Sequence, residues 1–217
     1  MNPFVLKGAQ QQLVELLKEK GITDENVLSA FGKVERHRFI ESFLWDKAYK
    51  DLALPIYCKQ TISQPSTVAF QSQLLEVSKG HKILEIGTGS GFQAAILSAM
   101  GAKVYSVERQ LELYQKTKKL LEEIDYRVVV QYGDGFQGLP RYAPFDRVIV
   151  TCGAPNVPMA LLQQLKVGGI MVIPVGEEVQ TMKKIIKLDD THYKVTNYGN
   201  FTFVPMLEEI VKGPSQQ

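Results

Sequence analysis

The sequence has few of the residues that cross-link small proteins or bind metals. Cys58 and Cys152 are the only cysteines among 217 residues, and they lie far apart without metal-ligand spacing. We therefore expect neither a disulfide framework nor a metal site. The three histidines, His37, His81 and His192, form no pattern with serine, cysteine or aspartate that would indicate a nucleophilic triad.

Long apolar runs and an excess of one charge are also missing. No stretch reaches the roughly 20 apolar residues of a membrane span, and no charged and then apolar leader is apparent at the N-terminus. The formal net charge of +2 does not indicate nucleic acid as a partner. These features favour a cytoplasmic protein that contacts neither membrane nor nucleic acid, and we expect a monomer.

What the sequence does contain is a core-forming composition and an alternation of strand and helix periodicity. Apolar residues make up 45% and charged residues 22%, as in globular proteins. The periodicity predicts strands near 82–86, 103–107, 127–131, 145–151 and 169–174, with helices near 91–100, 110–123 and 157–165. This alternation is typical of an α/β fold with a doubly wound, mainly parallel sheet, whose ligand crevice lies at the carboxyl ends of the strands.

The segments that flank this alternation follow other patterns. Two helices are predicted before residue 34, a loop over 50–63, and a helix that begins at Pro65 and continues to Val77. Beyond Pro174, three short strand-like runs at 185–188, 193–195 and 201–204 have no helices between them and predict an antiparallel extension. Residues 213–217 resemble a frayed tail.

Three alternate glycines, Gly87, Gly89 and Gly91, join the first core strand to a helix. Such a turn brings a ligand against bare backbone at the start of the helix. A dinucleotide-binding fingerprint would have its third glycine one position later, where this sequence has Phe92. The spacing favours S-adenosylmethionine, which has no pyrophosphate, over a nicotinamide cofactor.

Acidic residues occur where that ligand has donor groups. Glu108 follows the second strand by the spacing at which an acid accepts from ribose hydroxyls. Glu85, near the end of the first strand, suits the methionine ammonium or a structural hydrogen bond. Asp134, between two glycines, suits the adenine amino group or an ordinary turn.

These motifs together resemble class I methyltransferases, and one further segment extends the resemblance to a family. Gln-Thr-Ile-Ser-Gln-Pro at 60–65 and Leu-Glu-Ile-Gly-Thr-Gly-Ser-Gly-Phe-Gln at 84–93 are followed in order by motifs at 133–135, 143–146, 172–176 and 203–205. The set resembles protein-L-isoaspartate O-methyltransferases over about residues 51–205. Ser66 and the Cys152-Gly153 pair depart from the usual pattern, and both could affect how a peptide packs.

The resemblance implies a Rossmann-like enzyme that transfers a methyl group from S-adenosylmethionine to the free α-carboxyl of L-isoaspartyl residues in damaged proteins and peptides. The ester then closes to a succinimide, which begins repair. It implies Ser63 as the catalytic residue, although Ser63 could instead cap the helix at Pro65. The implied cofactor-binding residues are Gln60, Thr61, Ile62, Glu85, Gly87, Thr88, Gly89, Ser90, Gly91, Glu108, Arg109, Asp134 and Gly135.

We expect a single domain over residues 1–217 with three parts. These are a helical, substrate-side segment at 1–80, a cofactor-binding core at 81–175, and the antiparallel extension and tail at 176–217. A methyltransferase of a small molecule, or an inactive cofactor-binding protein, would share the core and differ at the acceptor site.

Overall fold

The structure is a computed structural model that describes residues 2–212, so the predicted tail at 213–217 lies outside the described residues. The helices are α1 (Pro3–Glu19), α2 (Glu25–Lys33), α3 (Pro65–Leu74), α4 (Phe92–Ala99), α5 (Leu111–Glu123) and α6 (Met159–Gln163). The strands are β1 (Leu54–Pro55), β2 (Thr61–Ile62), β3 (Lys82–Ile86), β4 (Lys103–Glu108), β5 (Val128–Tyr132), β6 (Phe145–Val150), β7 (Leu165–Val175), β8 (Gln180–Lys187) and β9 (Tyr193–Phe201).

Seven of these strands form one sheet in the order β5-β4-β3-β6-β7-β8-β9. The pairs from β5 to β7 are parallel, and β8 and β9 extend the sheet in antiparallel pairing. The predicted parallel core with an antiparallel extension is therefore confirmed. The strand order reverses direction at β3, which pairs with β4 on one side and β6 on the other, and ligands bind at such a switch point.

The central strands β3 and β6 are mainly apolar because both faces of the sheet are covered, and Glu85 is a buried exception in β3. Val148, Ile149 and Val150 of β6 are fully buried, as are Ile83 and Leu84 of β3. One apolar cluster packs the face covered by α1 to α4, and a second packs the face covered by α6. A strand buried on both faces has no polar alternation, which is the pattern that the sequence shows here.

The predicted strands and helices differ from the structure mainly where pairing, and not local periodicity, sets the ends. The helix expected over 157–165 is limited to Met159–Gln163, because Leu165 already pairs with Phe145 as part of β7. The runs at 185–188 and 193–195 are parts of two longer strands, since pairing with β7 draws residues 180–184 into β8. Of the predicted run at 201–204, only Phe201 belongs to a strand, the end of β9. The expected loop over 50–63 contains the β1–β2 hairpin.

The helix that begins at Pro65 ends at Leu74, so Val77 lies beyond it. Glu76 has a positive φ of 51° and turns the chain toward β3. Among the helices of residues 2–212, none combines the length and the apolar character that crossing a bilayer requires.

Candidate active site

A cavity of about 200 Å³ lies at the carboxyl ends of β3, β4 and β6. Its walls come from separate parts of the chain: residues 59–63, the glycine turn at 87–90, residues 108–110 after β4, residues 151–152 after β6, and residues 204–207. The fold thus brings the segment at 60–63 and the glycine turn, 24 or more positions apart, to one site. Side chains of α3 and α4 complete the wall.

The glycine turn has a backbone that requires glycine. Gly87, Gly89 and Gly91 have φ values of 93°, 52° and 86°, in the left-handed region that other residues rarely adopt. A Cβ atom on Gly87 would lie 2.7 Å from Oγ1 of Thr151. The hydroxyl of Thr117 on α5 donates to the Gly89 carbonyl at 2.6 Å and holds the turn in place.

Glu108 is a buried carboxylate in the cavity wall, and only 5% of the residue is exposed. Its Oε2 accepts from the Gly89 amide and its Oε1 from the Gln110 amide, each at 2.9 Å. Burial raises the pKa of Glu108 above its ordinary value, and these backbone donors oppose the shift. Each oxygen has a second lone pair, so the carboxylate can also accept from the hydroxyls of a ligand.

Arg109 also lines the cavity, but its guanidinium is directed to the C-terminal segment. Nε and Nη2 donate to the carbonyls of Glu209 and Glu208 at 2.9 and 3.2 Å. The amide of Val211 in turn donates to the Arg109 carbonyl at 2.8 Å. The side chain therefore attaches residues 208–211 beside the cavity.

Glu85 lies behind the cavity wall and is fully buried. Ser106 donates to its Oε2, and Thr88, which does line the cavity, is 2.6 Å from the Ser106 hydroxyl. Burial raises the pKa of Glu85 to about 8, so the folded protein holds this carboxyl in its neutral form at neutral pH. Glu85 reaches the site through Ser106 and Thr88.

Asp134 and Gly91 likewise lie outside the lining of the cavity, whereas Gly135 is part of it. Oδ1 of Asp134 accepts from the amide of Phe136 at 2.9 Å, which is the hydrogen bond of an ordinary Asx turn. A Cβ atom on Gly135 would lie 2.6 Å from Ile86, so only glycine allows the turn to approach β3 this closely. The other predicted residues that line the cavity are Gln60, Thr61, Ile62, Ser63, Gly87, Thr88, Gly89, Ser90, Glu108 and Arg109.

Ser63 lines the cavity and does not cap α3. The N-cap of that helix is Gln64, and no side-chain hydrogen bond comes from the cap position. Asp51 instead accepts from the Ser66 amide at 2.8 Å and pairs with Lys20 at 2.9 Å. Pro65 occupies the first helical position and favours an extended conformation at Gln64, which becomes the N-cap residue. Ser63 therefore lies one residue before the position from which a side chain can cap α3.

A buried arginine holds the backbone at Ser63. Arg36 is fully buried, and its Nη2 donates to the carbonyls of Ser63 and Leu52 at 3.0 and 3.1 Å. Its guanidinium lies 5.3 Å from the ring centre of Phe92, the first residue of α4. Burial lowers the pKa of Arg36 to about 10, which leaves it charged at neutral pH. The N-terminal segment therefore links the Ser63 loop to the helix after the glycine turn.

Several lining residues were missed by the sequence analysis. Gln71 and Gln93 line the cavity from α3 and α4. Gln93 ends the motif at 84–93, but neither glutamine was assigned a role. Residues 204–207 return over the site because the Gly153 amide donates to Val204 and the Met206 amide to Gly153, at 2.8 and 2.7 Å. Thr151 and Cys152 also line the cavity, after β6; the sequence indicated Cys152 only as a departure that could affect how a peptide packs.

The sequence profile of the protein-L-isoaspartate(D-aspartate) O-methyltransferase family matches residues 8–210 of this chain. The chain belongs to this family. Protein-L-isoaspartate O-methyltransferases from Christiangramia forsetii and Flavobacterium psychrophilum are each 56% identical to it over 204 residues, covering 94% of this chain and 96% of theirs. The predictions of the family, of a methyltransferase and of S-adenosylmethionine as its cofactor are confirmed by this membership.

Solved structures agree with the fold. A protein-L-isoaspartate O-methyltransferase superposes with a TM-score of 0.84 at 29% identity, over 90% of this chain, which spans 65% of that protein. A structure described as a putative protein-L-isoaspartate O-methyltransferase from Plasmodium falciparum, in complex with S-adenosyl-L-homocysteine, gives a TM-score of 0.81 at 21% identity. It covers 91% of this chain and 98% of its own, and it supports the fold alone.

The residues present fit S-adenosylmethionine. A carboxylate with spare lone pairs, a glycine turn with close backbone approach and apolar side chains of Ile86 and Val107 suit a ribose, a methionine tail and a flat base.

Proposed function

We propose that this cavity binds S-adenosylmethionine and that Ser63 orients the α-carboxylate of an L-isoaspartyl residue toward its methyl group. The observation that carries the proposal is that Ser63 and Glu108 line the same cavity. One belongs to the segment expected to contact the acceptor and the other to the cofactor motifs.

Bound in this cavity, the cofactor supplies an electrophilic methyl group on its sulfonium sulfur. Glu108 accepts hydrogen bonds from the ribose hydroxyls while its backbone donors keep it in place. The turn at 87–90 allows close approach, and Gly135, which lines the cavity, contacts the adenine. Glu85 and Gly91 support this surface from behind, and residues 60–62 and Arg109 close it.

The acceptor needs no general base from the protein. An α-carboxyl ordinarily has a pKa of about 3.5, so it is already an anion at neutral pH. His37 is 2.8 Å from the Tyr49 hydroxyl, and His81 and His192 lie at the ends of other loops, so no histidine lines the described cavity. The protein instead supplies alignment, which contributes roughly 7–11 kcal/mol in well-oriented reactions.

Ser63 contributes more than the N-terminus of α3 to orienting the acceptor carboxylate. The N-terminus of α3 has a positive dipole end that could also attract the acceptor carboxylate. Asp51 already accepts from the Ser66 amide there, so its charge offsets the dipole. The Ser63 hydroxyl, fixed through its carbonyl by Arg36, is the donor left to hold the carboxylate in line.

The product is an α-methyl ester, whose better leaving group allows the neighbouring amide to close a succinimide. Hydrolysis of that ring returns part of the material to normal aspartate. The chain thus acts on isoaspartyl proteins and peptides, and we propose that it does so as a monomer in the cytoplasm, without nucleic acid or membrane.

A labelling experiment tests the acceptor. The enzyme is incubated with S-adenosylmethionine labelled in its methyl group and with matched peptides that contain isoaspartate or aspartate at one position. We expect base-labile label on the isoaspartyl peptide alone. Label on small molecules and neither peptide would favour the alternative of a small-molecule methyltransferase, and cofactor binding without transfer would favour an inactive binding protein.

A further inference from the structure

The wall of the cavity contains an acceptor that the protein leaves without a partner, the side-chain carbonyl of Gln93. Gln93 is the second residue of α4, lines the cavity and is only 7% exposed. Within residues 2–212 its Oε1 is buried and has no hydrogen-bond partner. A buried carbonyl without a donor costs free energy, so this position suits a ligand that donates a hydrogen bond.

The orientation of the Gln93 amide follows from its neighbours. The Ser72 hydroxyl donates its only proton to the Val68 carbonyl at 2.8 Å. Its oxygen must therefore accept from Gln93, and Nε2 of Gln93 lies 2.9 Å away. Because a glutamine flip would place two acceptors against each other, Oε1 is the atom left free.

Two contacts place Gln93 on the β6 side of the cavity. Gln71 of α3 donates to the Val150 carbonyl at the end of β6 at 3.0 Å. Gln93 contacts the next residue of the same helix, Ser72. Glu108 ends β4, which lies on the other side of β3. If Glu108 holds the ribose, as the proposed function requires, the methionine tail of the cofactor extends toward Gln93.

We propose that Oε1 of Gln93 accepts a hydrogen bond from the ammonium of the cofactor's methionine. This inference rests on the proposed function for the position of the ribose. The methionine end offers an ammonium that donates and a carboxylate that only accepts, and its sulfonium has no proton to give. Only the ammonium complements a free carbonyl. Glu85, the residue expected for this role, lies behind the wall and does not line the cavity.

Calorimetry with two ligands tests the contact in the cofactor-free enzyme. S-adenosylhomocysteine contains the amino-acid group, and 5′-methylthioadenosine has the same base and ribose without it. In Gln93→Leu we expect affinity for S-adenosylhomocysteine to fall about 10- to 150-fold, the range for a hydrogen bond to a charged group. Affinity for 5′-methylthioadenosine should not change.

Two controls separate this contact from a structural role. Ser72→Ala leaves Gln93 in place but removes the hydroxyl that fixes its amide, so it should cause a smaller loss for S-adenosylhomocysteine alone. An analogue of S-adenosylhomocysteine that lacks the amino group should bind wild type and Gln93→Leu equally. If Gln93→Leu does not fold, Gln93→Met and Ser72→Ala provide the same comparison.

Equal losses for both ligands, or no loss for either, would overturn the assignment of Gln93. A wild-type protein that bound neither ligand would overturn the cofactor assignment as well. If wild type bound both ligands but did not methylate the isoaspartyl peptide, the acceptor assignment would be wrong and the Gln93 assignment would still be tested by the binding data. The two assignments can therefore be distinguished.

Discussion

At the scale of single residues, Ser63 has a hydroxyl that helix capping does not use, because Asp51 satisfies the start of α3. We expect Ser63→Ala to leave the melting temperature nearly unchanged and to lower kcat/KM for an isoaspartyl peptide about 10- to 150-fold. Cofactor affinity should be retained. Ser98→Ala, at the C-terminal end of α4 and away from the cavity lining, is the control for replacing a serine by alanine. Wild-type kinetics in Ser63→Ala would remove this residue from the site.

Glu85 gives stability a pH dependence whose sign is opposite to that of a salt-bridged acid. Its pKa rises from an ordinary 4.5 to about 8 on folding, because burial disfavours the charged form. Between these values the unfolded chain has released the proton and the folded chain has kept it. The stabilisation is therefore complete below pH about 4.5 and is lost as the pH rises toward 8, by at most about 1.4 kcal/mol per unit.

Urea unfolding of Glu85→Gln at several pH values measures this effect. The neutral isostere has no proton to release, so its free energy of unfolding should fall less than that of wild type between pH 5 and 8. Glu19→Gln, at an exposed glutamate, should retain the wild-type slope. Parallel curves for wild type and Glu85→Gln would show that Glu85 ionises in the folded protein at its ordinary pKa.

At the scale of elements, Asp51 links the loop before β1 to the start of α3. Its carboxylate accepts from the Ser66 amide, and the Gln64 side chain donates to it at 3.2 Å. We expect Asp51→Ala to cost about 0.5–2 kcal/mol of stability, as for loss of a helix cap. Because α3 begins two residues after Ser63, KM for the peptide should rise while cofactor affinity is retained.

Lys20→Ala is the matched control for that substitution. It removes the ion pair with Asp51 but leaves both hydrogen bonds of the cap. Because the Lys20 side chain is half-exposed and its charge is screened by water, we expect the pair to contribute only about 0–1 kcal/mol. A loss as large as that of Asp51→Ala would assign the effect to the ion pair. Urea unfolding and peptide kinetics on both variants make the distinction.

For some helices and strands, local periodicity in the sequence is sufficient to predict where the element lies. The strands β3 to β6 and the helices α4 and α5 follow the predicted segments closely, because buried strands and amphipathic helices have distinct spacing. Strand β7 begins at Leu165, before its predicted start at 169. The ends of α6, β8 and β9 depend on which residues pair across the sheet. Leu165 and Gln180 join strands through their partners Phe145 and Phe201, which are distant in sequence.

At the scale of the whole molecule, the proposed mechanism needs no protein base, because the acceptor carboxylate is already an anion at neutral pH. Amidation of the α-carboxyl of an isoaspartyl peptide should abolish methylation. The rate on the free peptide should change little between pH about 6 and 7.5, where a group of pKa near 3.5 is ionised throughout. Rates of methyl transfer at saturating cofactor test both expectations. A tenfold rise per pH unit would require a general base and contradict the direct displacement.

The amino-acid sequence by itself determined the strand, glycine turn and helix, the acid after β4 and the segment at 60–65, because each depends on residue type and short spacing. Tertiary structure decided which of these meet. In the folded chain Glu85 lies behind the cavity wall, and Asp51 accepts the hydrogen bond at the start of α3. Gln93 and residues 204–207 line the cavity, and Arg36 holds the backbone of Ser63. A buried polar side chain acquires its role from partners that are distant in sequence, and only the packed chain specifies those partners.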